Sequence, residues 1–362
     1  MNILKWATVG ILSWSISFAS SAATLKIHYL DVGNGDCEII CSPDGKNVLI
    51  DAGSKQASKC KNITDFCTAK NITQFDYVII SHYDQDHINC IQGMATKFTQ
   101  NAIVYDRGAF KNSGTFDDYV KAVGTKRKTA EQGGTISLDN NKLKIVFVAL
   151  NGNGIETADE NDLSLVAELH YGSFDASFGG DLPGFQEGGH MNIESSVAPL
   201  VRKIEVYKVH HHCSRTSTNI DWLQTTQPQV AILSVGPLVQ FGHPTDECVG
   251  RLHDANIDCY WTETGAGATP DSKYDHVWGN ITIEVGDNGK SYTVKGSGGT
   301  KTYQSWPDNL ANTANLVYVW SKRGQTYHTL DCSVGSKIVT ENRVEGSTPP
   351  PGLRPHSCIP SN

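Results

Sequence analysis

Short apolar runs separated by turn-forming residues follow one another from residue 24 to about residue 284. Runs of roughly four to eight apolar or β-branched residues, bounded by Gly, Asn, Asp or Ser, are typical of strands. They predict strands at Leu25–Leu30, Glu38–Cys41, Val48–Asp51, Tyr77–Ile80, Ala102–Tyr105, Lys144–Val148, Ser164–Leu169, Ala176–Gly180, Val206–Val209, Val230–Val235 and Asn280–Glu284. The segments between them predict helices at about Asp86–Lys97, Thr115–Val123, Met191–Val201, Trp222–Thr226 and Asp246–Ala255. Strands and helices in two successive sets indicate layers of sheet covered by helices.

Residues 1–23 differ from the rest of the chain. Lys5 is their only charge, an apolar segment runs from Trp6 to about Phe18, and residues 21–23 are small. These features predict a secretory signal peptide cleaved near Ala23, and therefore a secreted or periplasmic protein. No membrane span is expected, because no segment has the roughly 20 apolar residues of a spanning helix.

A change of composition near residue 296 predicts the end of the main domain. Residues 296–299 are Gly and Ser, and they open a predicted linker at 296–315. The main domain is therefore expected at 24–295 and a small C-terminal Cys/His module at 316–362. Two histidines and two cysteines of this module could bind zinc, or the cysteines could form a disulfide. These residues are His328, Cys332, His356 and Cys358.

Acidic residues exceed basic ones, with 38 Asp and Glu against 30 Lys and Arg and a formal net charge of −8. This balance argues against a protein coated with cations for indiscriminate binding to nucleic acid or anionic lipid. The ten cysteines all follow residue 23, and an even number in an exported chain favours disulfides. Short sequence loops make Cys60–Cys67, Cys248–Cys259 and Cys332–Cys358 the first pairs to expect. For Cys37 and Cys90 the alternative to a disulfide is a small buried residue.

The sequence S-H-Y-D-Q-D-H, residues 81–87, places two histidines and two aspartates directly after an apolar strand. His82 and Asp84 can project to one side of an extended loop, while Asp86 and His87 lie where the next helix is expected to begin. Carboxylates and imidazoles at this density can hold one divalent cation or be shared between two. The alternative is a solvated acidic turn.

Other short motifs occur in a fixed order along the chain. They are L-D-V-G-N-G-D (30–36), L-I-D-A-G (49–53), N-D-L-S-L-V (161–166), G-G-D (179–181), K-V-H-H-H-C-S (208–214), S-V-G (234–236) and G-H-P (242–244). Together with H-x-D-x-D-H at 82–87, they resemble the metallo-β-lactamase superfamily, and most of all its ComEC-type branch, over roughly residues 25–290. The resemblance implies an α/β (α+β) fold, a four-layer αββα sandwich with a metal pair at one edge between the sheets.

The resemblance also implies a set of ligands for two divalent ions. It assigns His82 and Asp84 to one ion, Asp86 and His87 to the second, and Asp181 to both. Of the three consecutive histidines it favours His211, then His212, as a further ligand, and it leaves His210 without a metal role. Asp86 and Asp181 are the residues expected to be catalytic. The ions could be zinc or manganese, because Asp84 stands where many relatives have histidine and adds a hard oxygen ligand.

Further residues are expected around these ligands. Asp51 and Asp36 are expected to orient ligands from behind, or simply to accept backbone hydrogen bonds in glycine turns. Arg107, His243 and Asn161 are expected to contact the substrate, and the alternative for His243 is a histidine in a turn before Pro244. Cys213 departs from the resembling H-H-G-S motif, in which a glycine stands at its position.

Two neighbouring cations can share a hydroxide and make it reactive towards a phosphodiester. No G-x-S-x-G, P-loop or G-x-G-x-x-G motif offers another chemistry. Basic residues beside Phe116 and Tyr119 could meet a polyanionic backbone, or could be an ordinary solvated surface. They are Lys97, Arg107, Lys111, Lys121, Lys126, Arg127 and Lys128.

The predicted function is therefore an exported dinuclear-metal hydrolase, a phosphodiesterase or nuclease that acts on extracellular DNA or RNA. One alternative is the hydrolysis of a different bond, in a phosphorylcholine ester, a lactone or a β-lactam. Another is a binding or delivery protein in which the C-terminal module recognises the target. The sequence does not indicate a protein partner.

Overall fold

The structure, a computed structural model, describes residues 24–307, 318–322, 326–329, 343–346 and 354–355. The predicted signal peptide, and Cys332, His356 and Cys358 of the C-terminal module, lie outside the described residues. The choice between zinc and a disulfide in that module therefore stays a prediction. Within the described part, none of the helices has the length and hydrophobicity that crossing a bilayer requires.

Most of the described strands belong to two large sheets. They are β1 Leu25–Tyr29, β2 Glu38–Cys41, β3 Asn47–Ile50, β4 Phe75–Ile79, β5 Phe98–Asp106, β6 Arg127–Thr129, β7 Thr135–Leu138, β8 Leu143–Ala149, β9 Val166–Tyr171, β10 Phe174–Phe178, β11 Val206–Lys208, β12 Val230–Leu233, β13 Asp258–Trp261, β14 Asp275–Val277, β15 Ile281–Gly286, β16 Ser291–Gly296 and β17 Gly299–Gln304. Sheet A has the order β17-β16-β15-β1-β2-β3-β4-β5-β6, and sheet B has the order β14-β13-β12-β11-β10-β9-β8-β7.

Short helices connect these strands. They are α1 Cys60–Ala69, α2 Gln85–Ile88, α3 Ile91–Met94, α4 Gly114–Val123, α5 Glu194–Val197, α6 Ile220–Thr226 and α7 Asp246–Asp254. A separate small sheet has the order β20-β18-β19-β21. Its strands are β18 Tyr318–Ser321, β19 Thr326–Thr329, β20 Arg343–Gly346 and β21 Arg354–Pro355.

Apolar side chains from the two large sheets pack against each other in the centre of the domain. Ile27 and Ile79 of sheet A and Ile145 and Phe178 of sheet B belong to one buried cluster and are at most 2% exposed. Burying one such side chain contributes about 1.5–3 kcal/mol relative to leaving it in water. This contact forms the two middle layers of the domain.

Helices cover the outer face of each sheet. On sheet A, Ile63 of α1 and Phe116 of α4 share a buried cluster with Val78 of β4. On sheet B, Trp222 of α6 shares another cluster with Leu233 of β12. The described residues therefore form helix, sheet, sheet and helix layers, and they confirm the predicted αββα sandwich.

The predicted helix Asp86–Lys97 is interrupted. Asn89 and Cys90 separate α2 from α3, and the Asn89 side chain pairs with the backbone of Ser54, accepting from its N–H at 2.9 Å and donating to its carbonyl at 2.6 Å. The helix breaks there because the Cys90 N–H donates to the Ala52 carbonyl, 2.9 Å away, instead of to the carbonyl one helical turn earlier. The predicted helix Met191–Val201 is likewise shorter, because only Glu194–Val197 is α-helical.

The segment predicted to open a linker is a hairpin turn. Gly296 pairs with Gly299, and the register continues to Ser291 opposite Gln304. The glycine-rich composition that predicted a linker therefore reflects a tight turn between β16 and β17, and sheet A continues beyond residue 295.

Two disulfides are present among the described residues, and neither is a predicted pair. Cys60 bonds to Cys90 and Cys213 bonds to Cys248, each with a Cα–Cα distance of 5.4 Å. The prediction of Cys60–Cys67 is wrong because both lie on α1, about two turns or about 10 Å apart along the helix.

The other cysteine predictions have mixed outcomes. Cys248–Cys259 is also wrong, since Cys248 is bonded elsewhere and the thiol of Cys259 is buried and not in a disulfide. Cys37 and Cys90 are both buried, but only Cys37 is unbonded, since Cys90 forms a disulfide with Cys60.

Candidate metal centre

The loops that carry the candidate ligands follow strands that run parallel to a neighbour. Residues 82–87 follow β4, Asp181 follows β10, and residues 210–212 follow β11. Because the carboxyl ends of parallel strands meet at one edge of a sheet, such loops are the usual place for a ligand site in α/β folds. The side-chain distances show that these loops meet.

Four buried side chains form the tightest group. Ligand atoms of Asp86, His87, Asp181 and His212 all lie within 4.8 Å of one another. His87 Nε2 is 3.2 Å from Asp181 Oδ1, and His212 Nε2 is 3.6 Å from Asp181 Oδ1 and 3.5 Å from Asp86 Oδ2. Two imidazole nitrogens and two carboxylates at this spacing match the ligands of a divalent ion.

The other oxygen of Asp181 faces a second set of side chains. Oδ2 is 3.9 Å from His82 Nε2 and 3.9 Å from His211 Nε2. His82 Nε2 is also 3.7 Å from Asp84 Oδ2. Asp181 therefore lies between two groups of potential ligands, one at each of its oxygens.

Several polar atoms of this cluster are buried without a hydrogen-bond partner. They include Nε2 of His82, His87 and His212 and Oδ1 of Asp181. Buried polar atoms in proteins nearly always have a partner, so a converging set of unpaired atoms needs an explanation. A cation between them supplies one, and the residues therefore fit a metal site.

The tautomer of His212 supports this fit. Its Nδ1 is 2.8 Å from the carbonyl oxygen of Ser234, which can only accept, so Nδ1 carries the proton. In the neutral imidazole, Nε2 then presents its lone pair to the cluster. The structure thus orients His212 as a ligand would be oriented.

The central carboxylates remain ionised at neutral pH. Burial alone raises the pKa of Asp181, but His87, His212 and His211 lower it well below the usual value. The pKa of Asp86 is also lowered, since His212 and His87 outweigh the effect of burial. Asp181 and the other neighbouring carboxylates outweigh burial and raise the pKa of His87 and His212, so a cation bound among these groups would replace the protons on the two imidazoles.

Asp51 lies behind His87, and it also accepts a backbone hydrogen bond. Its Oδ2 is 2.8 Å from His87 Nδ1, its Oδ1 accepts from the Ser81 N–H at 2.8 Å, and its Oδ2 accepts from the Ser81 hydroxyl at 2.6 Å. A carboxylate in this place fixes the ring orientation and the tautomer of a histidine ligand. Asp51 is therefore placed to present His87 Nε2 to the cluster.

Replacing Asp51 by Asn is expected to weaken the binding of zinc or manganese by about 10- to 100-fold, because the amide cannot supply the charge that holds His87 Nδ1–H. Competition with a chromogenic chelator measures the metal Kd. Asp118→Asn, on the exposed face of α4, is the matched control and should bind metal like the wild type. An Asp51→Asn protein with unchanged Kd would contradict the role given to Asp51.

Asp36 is paired with a lysine that sequence reasoning missed. Lys208 is fully buried, and its Nζ donates to Asp36 Oδ2 at 2.8 Å. Asp36 Oδ1 lies 3.5 Å from His212 Nδ1, so this ion pair sits directly behind the His212 ring. The position of Lys208 in an apolar strand, just before the histidines, is the one sequence feature that could have indicated a buried cation.

The loop after β11 has an unusual backbone. His211, His212 and Cys213 have φ values of 49°, 51° and 58°, in the left-handed region. Residues with a Cβ adopt this region at a cost, and glycine does not. At Cys213 the disulfide to Cys248 and a hydrogen bond from the Thr245 N–H to the Cys213 carbonyl, 2.9 Å long, hold the conformation.

The three consecutive histidines have different surroundings. His210 is buried and its Nδ1 lies 2.7 Å from Glu194 Oε1, so it has a structural partner away from the cluster. His212, which the resemblance gave as the second choice for a metal ligand, belongs to the four-residue group. His211, the first choice, does not. His211 instead lies beside the other oxygen of Asp181.

Two of the three expected substrate contacts lie near the cluster. Asn161 Nδ2 is 3.4 Å from His211 Nε2. The ring of His243 is 5.5 Å from that of His211 and 6.2 Å from that of His212, between centroids. Burial, together with His212 and His211, lowers the pKa of His243 to about 3, so it is neutral at physiological pH.

Arg107 does not lie where a substrate contact would. It is only 3% exposed, and its guanidinium donates to Glu160 from Nε at 2.9 Å and from a terminal nitrogen at 2.8 Å. Its face also covers the ring of Tyr83 at 4.4 Å. The expectation that Arg107 binds a phosphate is not supported, because the guanidinium is buried, two of its nitrogens donate to Glu160, and the third lies 3.5 Å from Asn151 Oδ1.

Two lysines contact the candidate ligand carboxylates. Lys55 was not predicted from the sequence, and Lys111 was named only as part of a basic surface. Lys55 Nζ is 2.7 Å from Asp86 Oδ1, and Lys111 Nζ forms an ion pair with Asp84. Both are partly exposed, so they lie on the open side of the cluster.

Sequence comparisons connect the chain to known proteins. Residues 30–172 match the family described as the metallo-β-lactamase superfamily. ComE operon protein 3 of Bacillus subtilis (strain 168) is 27% identical over 250 residues, which are 64% of this chain and 31% of that protein. Recombination protein 2 of Haemophilus influenzae is 27% identical over 236 residues, 64% of this chain and 27% of that protein. The chain thus spans about a third or less of these relatives.

Among solved structures, the metallo-β-lactamase fold protein YhfI of Bacillus subtilis is 12% identical, with a TM-score of 0.44, over 68% of this chain and 98% of YhfI. The family match covers the loops that hold His82, Asp84, Asp86 and His87. Residues 30–172 are therefore similar to a metallo-β-lactamase superfamily domain, and the names of the curated relatives refer to a ComE operon and to recombination.

Proposed function

We propose that the protein hydrolyses phosphodiester bonds in DNA or RNA with two divalent cations, zinc or manganese. The family match and the buried cluster support a metal-dependent hydrolase, and the proposal adds the bond and the substrate class. The observation that carries it is the placement of Asp181, with one oxygen beside His87 and His212 and the other beside His82 and His211. A carboxylate with other potential metal ligands beside each of its two oxygens can bind two neighbouring ions, one through each oxygen.

The proposed ligands divide into two groups that share Asp181. Asp86, His87 and His212 form one group, and the other group is His82, Asp84 and His211. Bound divalent cations at such a centre lower the pKa of water and stabilise charge on the attacking and leaving oxygens of a phosphodiester. Three carboxylates among seven ligands favour harder ions, so manganese competes with zinc here.

A phosphate-bearing substrate is supported by the charges around the cluster. Lys55 and Lys111 reach its open side and can contact phosphate oxygens. The names of the curated relatives refer to a ComE operon and to recombination, which fits a nucleic-acid substrate. The proposed substrate is therefore a nucleic acid rather than a small neutral ester.

Export is also part of the proposal. The described residues contain two disulfides, which form and persist in oxidising compartments and are rare in the cytosol. Together with the predicted signal peptide, they support action on extracellular nucleic acid.

A substrate panel tests the proposed function. Protein purified without chelator is incubated with single- and double-stranded DNA, RNA and bis-p-nitrophenyl phosphate, with manganese, with zinc, or after chelation. We expect turnover of a phosphodiester that chelation removes and one of the two metals restores. Turnover of nitrocefin or a lactone, without that of any phosphodiester, would instead support the alternative bond types.

A further inference from the structure

Two lysine–phenylalanine pairs border the metal centre. Lys111 follows Phe110 in the chain, and Lys55 lies beside Phe241. Phe110 is 71% exposed and Phe241 is 41% exposed. They are the two exposed phenylalanines among the described residues, and an apolar surface rimmed by polar groups is typical of an interaction site.

The first pair lies at Asp84. Lys111 Nζ pairs with this carboxylate and is 3.7 Å from Glu160 Oε2. The Phe110 ring meets the buried Phe116 ring edge-on, with 5.6 Å between centroids and 89° between planes. This contact supports the Phe110 ring from the protein side and leaves most of the ring open to solvent.

The second pair lies at Asp86. Lys55 Nζ is 2.7 Å from Asp86 Oδ1 and 5.5 Å from the centre of the Phe241 ring. Phe241 stacks on His243 with 6.0 Å between centroids and 29° between planes, and His243 in turn neighbours His211. Each pair therefore combines a cation at a ligand carboxylate with an exposed ring next to it.

We infer that these two pairs bind a single-stranded nucleic acid across the metal centre, an inference that rests on the proposed phosphodiesterase function. The lysines contact phosphates on either side of the cleaved bond, and the phenylalanine rings stack on flanking bases. A nucleic acid fits this arrangement because it alternates anionic groups with flat apolar faces, as the pairs alternate cations with rings.

The exposed rings also select the strandedness of the substrate. In a duplex each base face is already covered by its neighbours, so a protein ring reaches a base face only in an unpaired strand. The lysines contact phosphates in either form. The rings should therefore favour single strands, and the lysines should account for the salt dependence of binding.

Binding of a labelled oligothymidylate of about 12 nucleotides, measured by fluorescence anisotropy, tests the inference. Phe110→Ala and Phe241→Ala should each weaken binding by about 5- to 150-fold, the range for the loss of one stacked base. Ile220→Ala, which removes an exposed apolar side chain from the start of α6, is the matched control and should bind like the wild type. Lys55→Gln and Lys111→Gln should each reduce the slope of log Kd against log salt by about 0.7.

Several results would overturn the inference. The first is a Phe110→Ala/Phe241→Ala protein that melts like the wild type and binds the oligonucleotide with a Kd within twofold of the wild-type value. The second is an equal loss of affinity for the annealed duplex and for the single strand. The third is an unchanged slope of log Kd against log salt in both lysine variants. Wild-type turnover of bis-p-nitrophenyl phosphate separates this failure from that of the proposed function. If wild-type protein cleaves the small diester and the ring variants still bind normally, the inference fails and the proposed function stands.

Discussion

Replacing Asp181 by Asn is expected to lower phosphodiester turnover by at least about 1,000-fold. Both carboxylate oxygens of Asp181 face potential ligand sets, so its loss affects both proposed ions at once. Metal charge stabilises the transition state by several kcal/mol, and each 1.36 kcal/mol corresponds to about a tenfold change in rate. The amide keeps the size of the side chain but removes its charge, so the fold should remain.

Turnover of bis-p-nitrophenyl phosphate and the metal content of the purified protein measure this effect together. We expect Asp181→Asn to bind fewer than two ions and the exposed control Asp118→Asn to match the wild type in both respects. A variant that retained turnover within about tenfold of the wild type would show that Asp181 does not serve both ions.

Removal of the Cys213–Cys248 disulfide should lower the free energy of unfolding by about 2–4 kcal/mol. The bond joins residues 35 positions apart, so its absence enlarges the conformational freedom of the unfolded chain. It also releases the loop of His211 and His212 from α7. Cys248→Ala should therefore weaken metal binding as well as stability.

Cys213→Gly separates the two effects of this bond. It also removes the disulfide, but glycine adopts the left-handed backbone of position 213 without the cost of about 1 kcal/mol or more that a residue with a Cβ bears. Cys213→Gly should accordingly be more stable than Cys248→Ala, and it should bind metal more tightly. Chemical denaturation and chelator competition measure both quantities, and equal metal Kd values for wild type and Cys248→Ala would contradict the positioning role of the disulfide.

Sequence reasoning predicted most strands and helices because they depend on local patterns, and the resemblance to a known family implied the four-layer arrangement. Apolar runs such as Tyr77–Ile80 identify strands without knowledge of their partners, and the order of the short motifs predicted how the layers are arranged. It missed α1, whose ten residues Cys60–Ala69 contain two cysteines that were interpreted as a disulfide loop. The linker prediction at Gly296–Gly299 failed because glycine is equally typical of hairpin turns.

The site was predictable where one loop carries several ligands and not where distant segments pair. Residues 82–87 are recognisable because four candidate ligands lie within six consecutive positions. The choice between His211 and His212, in contrast, depends on the left-handed backbone of the loop after β11. The pairing of Arg107 with Glu160 joins residues 53 positions apart, and no local pattern indicates it. The disulfides likewise depend on three-dimensional proximity, as Cys60 and Cys90 are 30 positions apart in the sequence.

The central claim is that the buried carboxylates and imidazoles around Asp181 hold two cations. Anomalous diffraction from crystals grown with manganese, and then with zinc, tests it most directly. The account predicts two anomalous peaks, one on each side of Asp181, with His87 and His212 beside one and His82 beside the other. A map with well-ordered side chains at these positions and no anomalous peak among them, at saturating metal, would contradict the account.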